Sequence, residues 1–133
     1  LARTTDGVTP LLMASQNGHV DVVKVLVEAG ASVDQATTTH GVTPLFMAAQ
    51  DGRVDVVKVL VEAGASVGQA RTTNDGRTPL WQASQNGHVD VVKMLVEAGA
   101  SVNQARTTDG VAPLYMASEN GHVDVVKLLV EAG

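Results

Sequence analysis

Four prolines, Pro10, Pro44, Pro79 and Pro113, stand 34, 35 and 34 residues apart, each followed by leucine, and Gly18, Gly52, Gly87 and Gly121 repeat the same intervals. A fixed period of this length means one supersecondary unit written four times. A unit this short cannot enclose a core by itself, so neighbouring copies must bury one another's apolar faces. The expected shape is an elongated stack in which each unit touches only the next.

The stretch 9–30, TPLLMASQNGHVDVVKVLVEAG, shows what one unit builds. Thr9 is a suitable N-cap, and Pro10 at the first helical position gives up a donor that had no intrahelical partner. Leu11, Ala14 and Ser15 then share one helical face, with small side chains that permit close approach, and Gly18 offers the left-handed conformation that ends a helix. A second helix, from about Val20 to Ala29, puts Val22, Val23, Leu26 and Val27 on one side and Asp21, Lys24 and Glu28 on the other. Between Gly30 and the next Thr-Pro lies ASVDQATTTHGV, whose counterparts carry the turn signals Asn74-Asp75-Gly76 and Asp109-Gly110. This segment reads as a protruding β-hairpin or extended finger.

The frame DG-x-TPL-x-x-A-(A/S)-x-x-GH-V-D-VVK-x-LVEAGA, almost complete four times, resembles the ankyrin repeat family over the whole chain. The resemblance implies an all-α solenoid of helix-turn-helix units with short β-hairpin fingers. It also implies a concave face lined by inner helices and fingers, and a general role in binding other proteins. The reading is one domain over 1–133, with repeats at approximately 1–36, 37–70, 71–105 and 106–133, cut from a longer array. Three departures stand out. The units exceed the family's usual 33 residues, so the fingers should reach further. The family's histidine after TPL, which helps bond adjacent units, is replaced by Leu12, Phe46, Trp81 and Tyr115. The first and last repeats resemble internal ones, so their uncapped ends can associate end to end.

Chemistry is scarce. No cysteine is present, which removes disulfides, thiolate nucleophiles and cysteine-zinc sites together, and which suits an intracellular, cytoplasmic compartment. His19, His88 and His122 recur one repeat apart, too far to share a metal ion, and Arg53 stands at that position in the second unit. The carboxylates Asp21/Glu28 and their equivalents form a solvated outer-helix face with no reason for a shifted pKa. Ser15, Ser84 and Ser118 alternate with Ala49 and read as tight packing rather than nucleophiles. No glycine-rich phosphate loop appears. Neither an enzyme nor a cofactor is expected. A net charge of -5 disfavours nucleic acid and anionic membrane, and no apolar run approaches the roughly 20 residues that span a bilayer.

The informative variation lies at the position after TPL. Two readings stay open for it. Either Leu12, Phe46, Trp81 and Tyr115 fill space between adjacent inner helices, where apolar swaps are tolerated, or Phe46, Trp81 and Tyr115 form a partly exposed ridge of anchors flanked by Gln50, Gln85 and Glu119. A second pattern is basic: Arg3, Arg71 and Arg106 occupy equivalent finger positions, with Thr37 in the second unit and Arg77 just beyond the third finger. Such a row would steer an acidic peptide onto the fingers. Asn103, in LVEAGASVN, resembles the finger asparagine that hydroxylases modify in many ankyrin repeats, whereas Asp34 and Gly68 stand at the equivalent positions. Ala112 lacks the threonine cap and Gly68 is costly in an ordinary backbone, which favours a natural, recently duplicated array over a consensus design.

The expectation is therefore a non-enzymatic protein-binding module. Its contacts would be Phe46, Trp81, Tyr115, Gln50, Gln85, Arg71, Arg77 and Arg106. The alternative is a structural spacer, natural or consensus-engineered, with no ligand of its own.

Overall fold

The computed structural model describes residues 6–73 and 76–133. These hold eight helices in chain order: α1 Pro10–Gln16, α2 Val20–Glu28, α3 Pro44–Gln50, α4 Val54–Glu62, α5 Pro79–Asn86, α6 Val89–Glu97, α7 Pro113–Glu119 and α8 Val123–Ala132. Each odd-numbered helix packs against the one that follows across a glycine turn of two or three residues, and the pairs stack in sequence order.

The repeat frame explains where each inner helix starts. The hydroxyls of Thr9, Thr43 and Thr78 each accept from the main-chain N–H three residues on, at 3.1 Å, and each proline opens the first turn. Ala112 offers no such bond to α7. The outer helices start at His19, Arg53, His88 and His122 without a side-chain cap, but each carries an aspartate in its first turn, where the helix dipole favours negative charge.

The helices form two layers. In the inner layer α1, α3, α5 and α7 lie side by side, and in the outer layer α2, α4, α6 and α8 do the same, less intimately. Side-chain size accounts for the difference. The inner seam is built on Ala14, Ala48, Ala49, Ala83 and Ala117, which let backbones approach, whereas the outer seam is built on valine and leucine. One continuous core runs between the layers, through Leu11, Leu45 and Leu80 from the inner helices and Leu60, Leu95 and Leu129 from the outer ones.

The fingers correct one expectation: no described residue lies in a β-strand. The described fingers are instead closed by one or two backbone bonds: Thr37 N–H to Val42 at 3.0 Å with Gly41 N–H to Thr37 at 3.1 Å, Arg71 N–H to Arg77 at 3.0 Å, and Arg106 N–H to Val111 at 2.8 Å with Gly110 N–H to Arg106 at 2.9 Å. A ladder does not extend because main-chain donors near the tip reach sideways to the preceding finger. Thr38 N–H donates to Asp6 at 2.8 Å and Thr72 N–H to His40 at 3.0 Å. The His40 ring adds a 2.9 Å bond to the Thr73 hydroxyl. The fingers are thus stitched to one another rather than standing as independent hairpins.

Candidate functional site

The position after Thr-Pro-Leu is resolved by burial. Leu12, Phe46 and Trp81 are 5%, 1% and 0% exposed, and Tyr115 is 59% exposed. Phe46 and Trp81 therefore present no surface to a partner, and the ridge of three anchors is not formed. Each ring lies between its own unit and the next. The Trp81 indole N–H donates to the Val111 carbonyl of the following unit at 2.9 Å. An inter-unit bond is thus made at this position by an indole, where the family's histidine would be expected to make one. Phe46 has no donor to offer, so its ring is held without a hydrogen bond.

The arginines belong to the same junctions. The Arg71 guanidinium sits over the Phe46 ring, 5.5 Å from its centroid, and those of Arg77 and Arg106 sit over Trp81, each at 4.8 Å. These are cation–π distances. Arg77 also donates to the Gln82 side-chain carbonyl at 3.1 Å, and Gln82, nearly buried where the other units have methionine, donates in turn to Gln85 at 2.8 Å. Arg106 grips Asp109 through both carboxylate oxygens, at 3.0 and 2.6 Å. That two-pronged bond holds the Asp109 carboxyl below its ordinary value, reinforced by the Val111 N–H, although Asp109 itself is exposed. All three arginines are half-buried lids over rings or partners of neighbouring side chains, rather than a freely extended basic row. Arg3, the fourth member of that row, lies outside the described residues, as do Asn74 and Asp75.

A second set of inter-unit contacts uses the residues that follow the inner helices. The His88 ring donates from Nε2 to the Gln50 carbonyl at 2.9 Å, and Asn86 donates to the same oxygen at 3.0 Å. His122 and Asn120 repeat this on the Gln85 carbonyl at 2.9 and 3.0 Å. Where Asp51 replaces the asparagine and cannot donate, Arg53 replaces the histidine and bonds the Gln16 carbonyl at 3.2 Å. These carbonyls are the ones an ending helix leaves without an intrahelical donor. The rings also press on the preceding turn: a Cβ placed on Gly52 would lie 2.8 Å from the His88 ring, and one on Gly87 would lie 2.6 Å from that of His122. Glycine is needed there for space as well as for its positive φ of 69° and 75°. The histidines are couplers between units, and among the described residues no group of three His, Cys, Asp or Glu side chains could hold a metal ion.

What remains accessible on the inner face is a repeat-spaced row at the end of the inner helices. Gln16, Gln50 and Gln85 are half-buried and Glu119 is exposed, while the main-chain carbonyls of the three glutamines are already taken up by the next unit. Asn103 is exposed in the turn after α6; at its counterpart, Asp34 accepts from the Ser66 N–H of the next unit at 2.9 Å, a bond that Gly68 cannot make.

Sequence comparison of equivalent positions missed both coupler sets, because the partners are not equivalent positions. The aromatic and its lid lie 25 residues apart, Phe46 with Arg71 and Trp81 with Arg106, while Leu12 has Thr37 at that distance. The signal was present as a matched change: a ring where there is a guanidinium to cover it, an aliphatic side chain where there is a threonine.

The family model for ankyrin repeats, in three copies, matches residues 2–71 and again residues 67–133. No curated protein matches the chain. Ankyrin repeats generally serve as protein–protein interaction modules and are generally non-enzymatic. No helix among the described residues is long and apolar enough to cross a membrane.

Proposed function

The chain belongs to the ankyrin repeat family, and on that premise we propose that it is a non-enzymatic module that binds an extended segment of a partner protein along the inner-helix face and the fingers. The observation that carries this reading is the row Gln16, Gln50, Gln85 and Glu119. Stacking consumes the main-chain groups of the row but leaves its side chains accessible at one step per unit. A periodic row of amide and carboxylate groups suits a partner's main chain, which presents donors and acceptors at regular intervals. Arg71 borders this row from the finger side and supports a preference for acidic segments; Arg106 supports it less, because Asp109 already balances its charge.

The test is selection from a displayed random-peptide library by the parent and by a Gln16→Ala, Gln50→Ala, Glu119→Ala variant of matched helical content. A shared motif selected by the parent and lost by the variant is expected. Enrichment by both places binding elsewhere on the molecule.

A second reading, a structural spacer, is favoured by the fate of Phe46 and Trp81: the two largest of the fully buried side chains are spent on joining units. No motif from either protein in the same selection would favour it.

A further inference from the structure

We propose that the third unit selects an aspartate or glutamate carboxylate on its partner, because Gln82 holds the Gln85 side-chain amide with only its N–H groups left to offer. This inference rests on the partner-binding reading and names the chemistry required at one position of the bound segment. The residues three before Gln16, Gln50, Gln85 and Glu119 are Met13, Met47, Gln82 and Met116. Residues three apart on a helix are neighbours, so each member of the row has this side chain beside it. Only in the third unit is that neighbour an amide.

The amide is held at both ends. Arg77 Nη1 donates to Gln82 Oε1 at 3.1 Å, and Gln82 Nε2 donates to Gln85 Oε1 at 2.8 Å and to Asn86 Oδ1 at 3.5 Å. Asn86 Nδ2 in turn donates to the Gln50 carbonyl at 3.0 Å. Each member of this chain has one permitted orientation. A guanidinium has no acceptor, so Gln82 must turn its oxygen toward Arg77; a main-chain carbonyl has no donor, so Asn86 must turn its nitrogen toward Gln50 and its oxygen toward Gln82. The Gln82 nitrogen then occupies the Gln85 oxygen. What Gln85 keeps is an Nε2 with two donors and no hydrogen-bond partner among the described residues, on a half-buried side chain. Gln82 is 6% exposed, so little water competes for its bonds, and a chain that begins at a cation strengthens the donors further along it. Gln50, half-buried and next to Met47, has no bond that fixes its side-chain amide and can offer either oxygen or nitrogen. A carboxylate, which only accepts, meets the Gln85 donors with a charge-assisted bond, whereas a lysine ammonium finds no acceptor there.

The test is selection from a displayed random-peptide library by the parent, followed by affinities for the selected peptide and for a version with lysine at its acidic position. The parent should select a motif with aspartate or glutamate at one fixed position. Gln82→Met installs the residue of the other three units and adds no charge, and it frees Gln85 to turn. The ratio of the two affinities should then fall about tenfold, with the rest of the motif retained. Gln82→Glu keeps the bond from Arg77 but has no donor, so Gln85 must turn its nitrogen inward and its oxygen outward, and the preference should reverse toward lysine. A Gln82 that only supports the fold would weaken both peptides alike and leave the ratio unchanged. A motif without an acidic position, or a ratio that Gln82→Met leaves unchanged, overturns this inference while the partner-binding reading stands. A parent that selects no motif overturns both.

Discussion

Replacing Trp81 tests the junction reading most directly, since a surface anchor and a buried coupler respond in opposite ways. Trp81 is fully buried, and truncating a buried Trp to Ala costs about 3–5 kcal/mol. The Val111 carbonyl loses its indole donor at the same time, adding about 1–3 kcal/mol if nothing replaces it. The two guanidinium groups over the ring can turn toward water and are not counted. Trp81→Ala should therefore lose about 4–8 kcal/mol, set against a total that for a chain of this length is roughly 7–20 kcal/mol. Because each unit touches only its neighbours, the loss concentrates at the third junction, and α7 and α8 should unfold before the rest. Trp81→Phe keeps a ring of the size that Phe46 shows the frame accepts and loses chiefly the hydrogen bond, so its cost should be nearer 1–3 kcal/mol, on the order of one unsatisfied buried carbonyl. Urea unfolding followed by far-ultraviolet circular dichroism gives the totals, and amide exchange of α7 and α8 locates them. A Trp81→Ala protein within about 1 kcal/mol of the parent, the range of an ordinary surface change, would refute the argument.

Four further outcomes follow from individual contacts. Ala112→Thr should restore the cap that Thr9, Thr43 and Thr78 provide and raise stability by about 0.5–2 kcal/mol in the same urea assay; no gain would mean the cap geometry differs in α7. Gly87→Ala should cost more than Gly64→Ala, although both have positive φ: strain of about 1–3 kcal/mol is common to the two, but only at Gly87 must the His122 ring move and release the Gln85 carbonyl. Equal losses would show that the ring contact contributes nothing. Ser84→Ala should be neutral or stabilising by up to about 1 kcal/mol, because the Ser84 hydroxyl is buried without a partner among the described residues and Ala49 fills the same position; a clear loss would mean that the hydroxyl is bonded. Asp109, held below its ordinary 3.8 by Arg106, lends stability that is present above that value and lost as pH falls through its lowered folded value. Its carboxyl resonance should titrate below 3.8 in the parent and near it in Arg106→Ala, and a parent midpoint at or above 3.8 would refute the clasp.

Much of this architecture was legible because the signals are local. Thr9-Pro10 marks a helix start whatever surrounds it, and Val22, Val23, Leu26 and Val27 define a buried stripe by spacing alone. The helices accordingly begin and end within a residue or so of where the caps and glycines put them. The fingers were less legible: threonine-rich segments flanking a Gly turn favour strands, but here the main-chain donors of Thr38 and Thr72 are claimed by the preceding finger, a competition that no single segment reveals. The candidate site was the least legible part. Helical geometry put position 81 on a flank, and a flank is shared between water and the neighbouring unit in proportions that depend on how closely the units stack.

The free variation of Leu12, Phe46, Trp81 and Tyr115 has a physical cause that also separates coupling from binding in this fold. Residues whose surroundings are alike in every unit, such as the Val-Val-Lys of the outer helices, are copied unchanged because four like helix pairs set the same requirement. A residue at a junction answers instead to one partner in the next unit, and any pair that fills the gap and leaves no polar group unmatched will serve. Phe46 with Arg71, and Trp81 with Arg106 and Val111, are two such solutions, and the glutamine carbonyls are met in two ways, by Arg53 on Gln16 and by Asn86 with His88 on Gln50. Variability alone thus does not mark a binding surface in a repeat array. Variation that is matched by a change about one repeat away reports a junction, and only unmatched variation at accessible positions, as in the change from Gln16, Gln50 and Gln85 to Glu119, is left to be shaped by a partner.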